Sequence, residues 1–244
     1  MKKALIKPVL VIFFLLGLSD PCVAGISDTM VNKITFRVTE NSLIVLDSLG
    51  AVIFSRDFKS VSNSFFLDFD ADGTDELYIE ESEIKNSETF YSCYFIRTLD
   101  SVYLIDSIGS GVTRPYHEFN EDLNSLVLVT GDAYVDSLIT LSRNKLLVTP
   151  KVYWLFDGTE VFSVDEEMYD VYMAENDDLM ILLNDFKKAV KDDCRLSDNY
   201  RGIIITVFIN YLFAKEQVLA YRFIEEFSDC REIKDILDKL TEIY

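Results

Sequence analysis

From residue 33 to about residue 165 the chain alternates apolar and polar residues in short bursts. Ile34, Phe36 and Val38 interleave with Thr35, Arg37 and Thr39, the period-two pattern of a strand with one buried face. Runs rich in β-branched and aromatic residues predict further strands at Leu43 to Leu46, Ala51 to Ser55, Phe65 to Phe69, Glu76 to Glu80 and Thr89 to Thr98. More follow at Val102 to Ile105, Leu126 to Thr130, Leu138 to Leu141, Val152 to Phe156 and Val161 to Val164. Turn signals separate them: Asp47-Ser48-Leu49-Gly50, Asp72-Gly73, Gly109-Ser110-Gly111, Ser142-Arg143-Asn144-Lys145 and Asp157-Gly158. The last lies between two aromatic and β-branched runs and is a strong hairpin signal. No stretch before residue 170 shows sustained helical periodicity.

The period changes near residue 175. Leu179, Leu182, Leu183, Phe186 and Val190 fall at helical spacing, with Asp177 and Asp178 placed for a first turn. Ala220, Phe223, Ile224 and Phe227 repeat that spacing, as do Ile233, Ile236, Leu237 and Leu240. Ile203 to Phe213 is β-branched enough for a strand, but its length and flanks favour a buried helix. The spacing thus predicts helices over roughly 176–193, 199–213, 216–228 and 231–243, the middle pair forming an antiparallel hairpin across Ala214-Lys215. The expected fold class is α+β: an antiparallel β-rich domain over 25–168, then a four-helix region over 169–244. The β part is expected as an open meander or sandwich, or as partial propeller-like blades. Asn63-Ser64 with Asp75-x-Leu77 recurs 61 residues later as Asn124-Ser125 with Asp136-x-Leu138, each echo expected to run strand, loop, strand.

The first 24 residues do not fit this pattern. Lys2, Lys3 and Lys7 precede an apolar run from Val9 to Leu16, and Cys22 and Ala24 supply small residues before a cut at Gly25. The run is too short to span a bilayer as a helix, so it reads as a cleaved signal peptide with no transmembrane segment left after processing. Export to the periplasm or the cell surface follows as an expectation. Losing the leader removes three lysines and Asp20, which takes the formal charge from −19 to −21. Such a charge argues against nucleic-acid binding, where neutralisation of phosphates by Lys and Arg dominates affinity, and against adhesion to an anionic membrane. It suits divalent cations or a basic partner. In an oxidising compartment Cys194 and Cys230, both at helix ends, are expected to pair, and Cys93, within an aromatic strand, to be a buried thiol.

One segment carries a metal-binding pattern. Asp68-Phe69-Asp70-Ala71-Asp72-Gly73-Thr74-Asp75-Glu76-Leu77 sets acidic side chains at positions 1, 3, 5 and 9 of a short loop. Calcium takes six to eight oxygens, and only a tightly curled chain aims that many from so few residues. Gly73 permits the sharp turn, and the Thr74 carbonyl can complete the ring. Without a cation the crowded carboxylates would repel one another. Asp75 lies outside the alternation and is expected to face solvent. A helix–loop–helix calcium site is excluded, because Ile79 stands where that motif needs a glutamate and both flanks read as strands. From Phe65 to Glu80 the segment resembles the calcium loop of FG-GAP/VCBS-type repeats, D-x-D-x-D-G-x-x-(D/E) followed by an apolar residue, set between two strands of a blade. The resemblance implies Asp68, Asp70, Asp72, Thr74 through its carbonyl, and Glu76 as ligands of a structural calcium ion. The chain has one copy of the motif, and the β region is too short for the usual six or seven blades.

Catalytic patterns are sparse. His117 is the only histidine, Tyr116-His117-Glu118-Phe119 reads as a loop or strand end with a surface histidine, and neither a G-x-S-x-G elbow nor a phosphate loop is present. The expected function is an exported, non-enzymatic binding or envelope-associated protein with a calcium brace and a protein or glycan partner. Two alternatives stand beside it: an exported hydrolase using an acidic pair, and a helical protein–protein interaction module on a β scaffold.

Overall fold

The computed structural model describes residues 27–99, 101–139, 148–189, 198–226 and 231–244. Among these residues twelve strands form three successive four-stranded antiparallel meanders, each open at both edges, and none closes into a barrel. The first comprises β1 (Ser27–Val31), β2 (Ile34–Val38), β3 (Ser42–Leu46) and β4 (Val52–Asp57). The second comprises β5 (Val61–Leu67), β6 (Glu76–Lys85), β7 (Glu88–Arg97) and β8 (Tyr103–Gly111). The third comprises β9 (Tyr116–Asn120), β10 (Ser125–Gly131), β11 (Lys151–Phe156) and β12 (Val161–Ser163), with a short helix α1 (Ala133–Ile139) between β10 and β11. Four helices follow: α2 (Tyr169–Ala189), α3 (Asp198–Phe213), α4 (Gln217–Glu225) and α5 (Arg231–Thr241). The α+β class is the one the sequence predicts. None of the helices among the described residues is long and apolar enough to cross a membrane.

Alternation along the central strands explains how these units stack. On β6, Leu77 and Ile79 face the first sheet, packing with Phe36, Leu43 and Val45. Between them Tyr78 points the other way, with Cys93 and Phe95 of β7, against Leu128, Phe156 and Val161 of the third sheet. The opposite face of the third sheet, carrying Val127, Val129 and Tyr153, meets Leu183, Ile204 and Phe208 of the helices. Successive side chains of a strand leave on opposite faces, so a run apolar at every position, such as Leu77 to Ile79, marks a sheet covered on both sides. The middle sheet is thus packed between its two neighbours.

Several expectations need correction. The strand predicted at Leu138 to Leu141 begins instead within α1, because Asp132 caps that helix: its Oδ1 accepts the backbone N–H of Tyr134 at 2.9 Å and of Val135 at 3.0 Å. The 61-residue echo therefore has no structural counterpart, since its first copy runs from β5 into β6 and its second from β10 into α1. Gly109-Ser110-Gly111 is not a turn but the end of β8, where α1 approaches closely; a Cβ on Gly109 would lie 3.3 Å from that of Ala133. Helix α2 starts seven residues before the predicted position, because Met168 and Tyr172 are buried on the third sheet while their charged neighbours face outward. Asp177 and Asp178 consequently lie in its interior. Helix α3 shows no amphipathic period because it is buried on all sides from 202 to 210, as a helix apolar all round must be. Cys93 is a free, fully buried thiol. The expected Cys194–Cys230 bridge and the leader lie outside the described residues.

Candidate metal centre

The acidic loop connects β5 to β6. Leu67 and Glu76 are cross-strand partners, so the chain leaves and re-enters the sheet at one rung and the eight residues between them must curl. They do so by side chain-to-backbone bonds of the kind Asp forms in turns. Asp68 accepts the Asp72 N–H at 3.0 Å through Oδ1 and the Gly73 N–H at 2.9 Å through Oδ2. Asp70 Oδ1 accepts the Asp72 N–H at 3.1 Å, and Asp72 Oδ1 the Thr74 N–H at 2.7 Å. The backbone turns left-handed at Ala71 (φ 59°) and Gly73 (φ 88°), and the latter is free of Cβ strain.

This curl brings one carboxylate oxygen each of Asp68, Asp70 and Glu76 within 4.8 Å of one another. Asp72 is not in that group. Asp75 is exposed, as its place outside the alternation implied. Glu76 is the unusual member, because as the first residue of β6 it has no solvent exposure. Its Oε2 has only a long contact with the Phe69 N–H, 3.5 Å, and its Oε1 has no hydrogen-bond partner among the described residues. Burial, together with the negative charges of Asp70, Asp72 and Asp68, pushes its carboxyl up to about 7. Burial also raises Asp70, with the neighbouring acids adding to it. A buried carboxylate with one oxygen unpartnered and the other held only at long range is costly, and a cation among the three carboxylates supplies what the protein does not. Hard oxygen donors and the absence of His or Cys suit calcium or magnesium, and the flexible geometry of calcium fits a loop of this kind better.

The loop is clamped from outside. Phe69 is buried between the second and third sheets, with ring centroids 5.2 Å from Phe95 and 6.2 Å from Phe156. The Asp157-Gly158 turn of the β11–β12 hairpin sits against Asp70, so that a Cβ on Gly158 would overlap the Asp70 carboxylate. Arg97, at the end of β7, donates to the Gly158 carbonyl at 3.0 Å, and Thr98 Oγ1 donates to the Asp75 carbonyl. The predicted hairpin thus has a second role in packing on the loop, which no local pattern in its sequence signals.

His117 takes the strand-end placement, near the start of β9, but its ring packs inward rather than at the surface. It belongs to β9, opposite Leu128, with its ring 4.9 Å from Tyr78 and 5.3 Å from Phe69. Its Nε2 is buried without a partner among the described residues, and burial lowers its pKa to about 4. The period-two pattern of Tyr116-His117-Glu118-Phe119 was obscured because Glu118 and Phe119, on opposite faces, are both exposed.

A carboxylate pair away from the loop lines a cavity of about 360 Å³ with Trp154, Tyr134 and Tyr244. Its two acids, Asp132 and Asp165, are already engaged at all four oxygens. Asp132 caps α1 and accepts from the Tyr244 hydroxyl, while Asp165 accepts from Tyr172, Ser163 and the Tyr153 N–H. These bonds account for the pair structurally. No family model, curated protein or solved structure matches the chain.

Proposed function

We propose that the loop formed by Asp68, Asp70, Asp72, Thr74 and Glu76 holds a structural calcium ion. In this reading the ion braces the second sheet against the β11–β12 hairpin of an exported, non-enzymatic binding or envelope-associated protein. The observation that carries it is Glu76, a fully buried carboxylate with one oxygen unpartnered among the described residues, beside Asp68 and Asp70. The placement of the loop between adjacent strands of a four-stranded meander supports the FG-GAP/VCBS-type resemblance. With an extracellular-type dissociation constant of about 10⁻⁴–10⁻³ M, a tenfold excess of calcium adds about 1.4 kcal/mol to stability, which suits a brace rather than a catalyst. Calcium should therefore raise the melting temperature of the wild type, and Asp70→Ala combined with Asp72→Ala should abolish the rise. An unchanged calcium response in that double variant would overturn the reading.

A second reading, a helical interaction surface, is favoured by Val218 and Tyr221, exposed by 64% and 56% one turn apart on α4.

A further inference from the structure

A second cleft lies between the middle and third sheets, and an inference about it does not rest on the acidic loop. Its volume is about 370 Å³, within the range of small-molecule sites, and its walls include Asn63, Phe65, Glu80, Arg114, Tyr116 and His117. Register explains the composition. Asn63 opposes Glu80 and Phe65 opposes Tyr78 across the β5–β6 ladder, so these four share the face that looks toward β9. Arg114 and Tyr116 come from the connection into β9 and its first residue.

Glu80 is 2% exposed, and its Oε1 accepts from Ser62 Oγ at 2.6 Å and from Arg114 Nε at 3.0 Å. Among the described residues Arg114 has that single partner, its side chain is 59% exposed, and its two terminal amino groups are left to point donors elsewhere. The Asn63 amide is exposed and adds both a donor and an acceptor. The imidazole of His117 is neutral at physiological pH. In a chain of formal charge −19, the lining of this cleft therefore carries one carboxylate matched by one guanidinium and no net charge. A cationic ligand would meet the exposed Arg114, and an anionic one would find that guanidinium already offset by the buried Glu80 in a chain of formal charge −19. What fits is a neutral molecule that both donates and accepts hydrogen bonds and has an apolar face to set against Phe65 and Tyr116.

We propose that this cleft binds a neutral sugar of hexose size, with Asn63 and Arg114 as its hydrogen-bonding set, Glu80 holding Arg114 in place, and Tyr116 as its exposed aromatic wall. The test is saturation-transfer NMR on the full mature protein with D-glucose, D-galactose, D-mannose and N-acetyl-D-glucosamine, followed by titration of whichever gives transfer. D-glucuronate and D-glucosamine serve as charged counterparts. At least one neutral sugar should bind, and Asn63→Ala and Tyr116→Ala, both at exposed positions, should each weaken it about tenfold with the circular dichroism spectrum unchanged. Arg114→Lys keeps a cation beside Glu80 but loses the planar donors, and should weaken binding similarly. No transfer from any neutral sugar, unchanged binding in both alanine variants, or a preference for either charged counterpart would overturn the proposal.

Discussion

Replacing Glu76 by glutamine separates a metal brace from an ordinary buried acid, because the two predict opposite signs. In the metal-free protein the Glu76 carboxyl is held at about 7 against an ordinary 4.5, chiefly by burial. A carboxyl whose folded pKa is raised favours folding below its unfolded value and loses that contribution as pH rises through the folded one. At about pH 8 the ionised side chain therefore costs up to about 3 kcal/mol in the folded state, at 1.36 kcal/mol per pH unit. Glutamine is isosteric and uncharged, but its own amide must be desolvated, so the net gain expected is about 2 kcal/mol. In EDTA at about pH 8, Glu76→Gln should be more stable than the wild type by that margin, and the margin should shrink toward about pH 5. At a tenfold excess of calcium over a dissociation constant of about 10⁻⁴–10⁻³ M the margin should narrow by about 1.4 kcal/mol, because the wild type gains binding energy that the variant has lost with its ligand. Urea denaturation at two calcium levels and two pH values measures all of this. If the variant is less stable by the same amount with and without calcium, Glu76 is only a structural hydrogen-bond acceptor, and the account of the loop fails.

Further outcomes follow from the same contacts. Gly158→Ala forces a side chain onto a backbone at φ 88° and into the Asp70 carboxylate, so it should cost about 1–3 kcal/mol and weaken the calcium response. A variant that leaves both unchanged would show that hairpin and loop are independent. Phe69→Ala empties the aromatic contact between the second and third sheets and should cost about 3–5 kcal/mol by chemical denaturation; a loss under 1 kcal/mol, about the scale of a surface change, would mean the loop is not anchored there. Cys93, fully buried and with its thiol pushed up to about 12 by burial, should react with iodoacetamide only when the protein unfolds. Rapid alkylation of the native protein at neutral pH would contradict that burial.

The β-then-α order was legible because strand and helix periods are local properties, and so was the acidic loop, whose whole pattern lies within ten residues. What could not be read depended on distant partners. Helix α1 rests on the Asp132 cap and on glycines that open space in β8, and α2 begins early because Tyr172 finds Tyr153, with ring centroids 5.6 Å apart, across the third sheet. His117 resembled a surface residue because burial of its ring is set by Phe65 and Tyr78 of the second sheet and by Phe69 of the acidic loop, all distant in sequence. The convergence of Asp68, Asp70 and Glu76 was implied by their spacing, but the isolation of the Glu76 carboxylate was not. It arises because that residue opens β6, the strand buried on both faces.

Isothermal titration of calcium into the purified protein, first stripped with EDTA, tests the central claim most directly. Uptake of one ion with a dissociation constant of about 10⁻⁴–10⁻³ M, lost in the Asp70→Ala and Asp72→Ala double variant, is the expected result. No heat of binding up to several millimolar calcium would contradict it and leave Glu76 a buried acid that folding tolerates protonated.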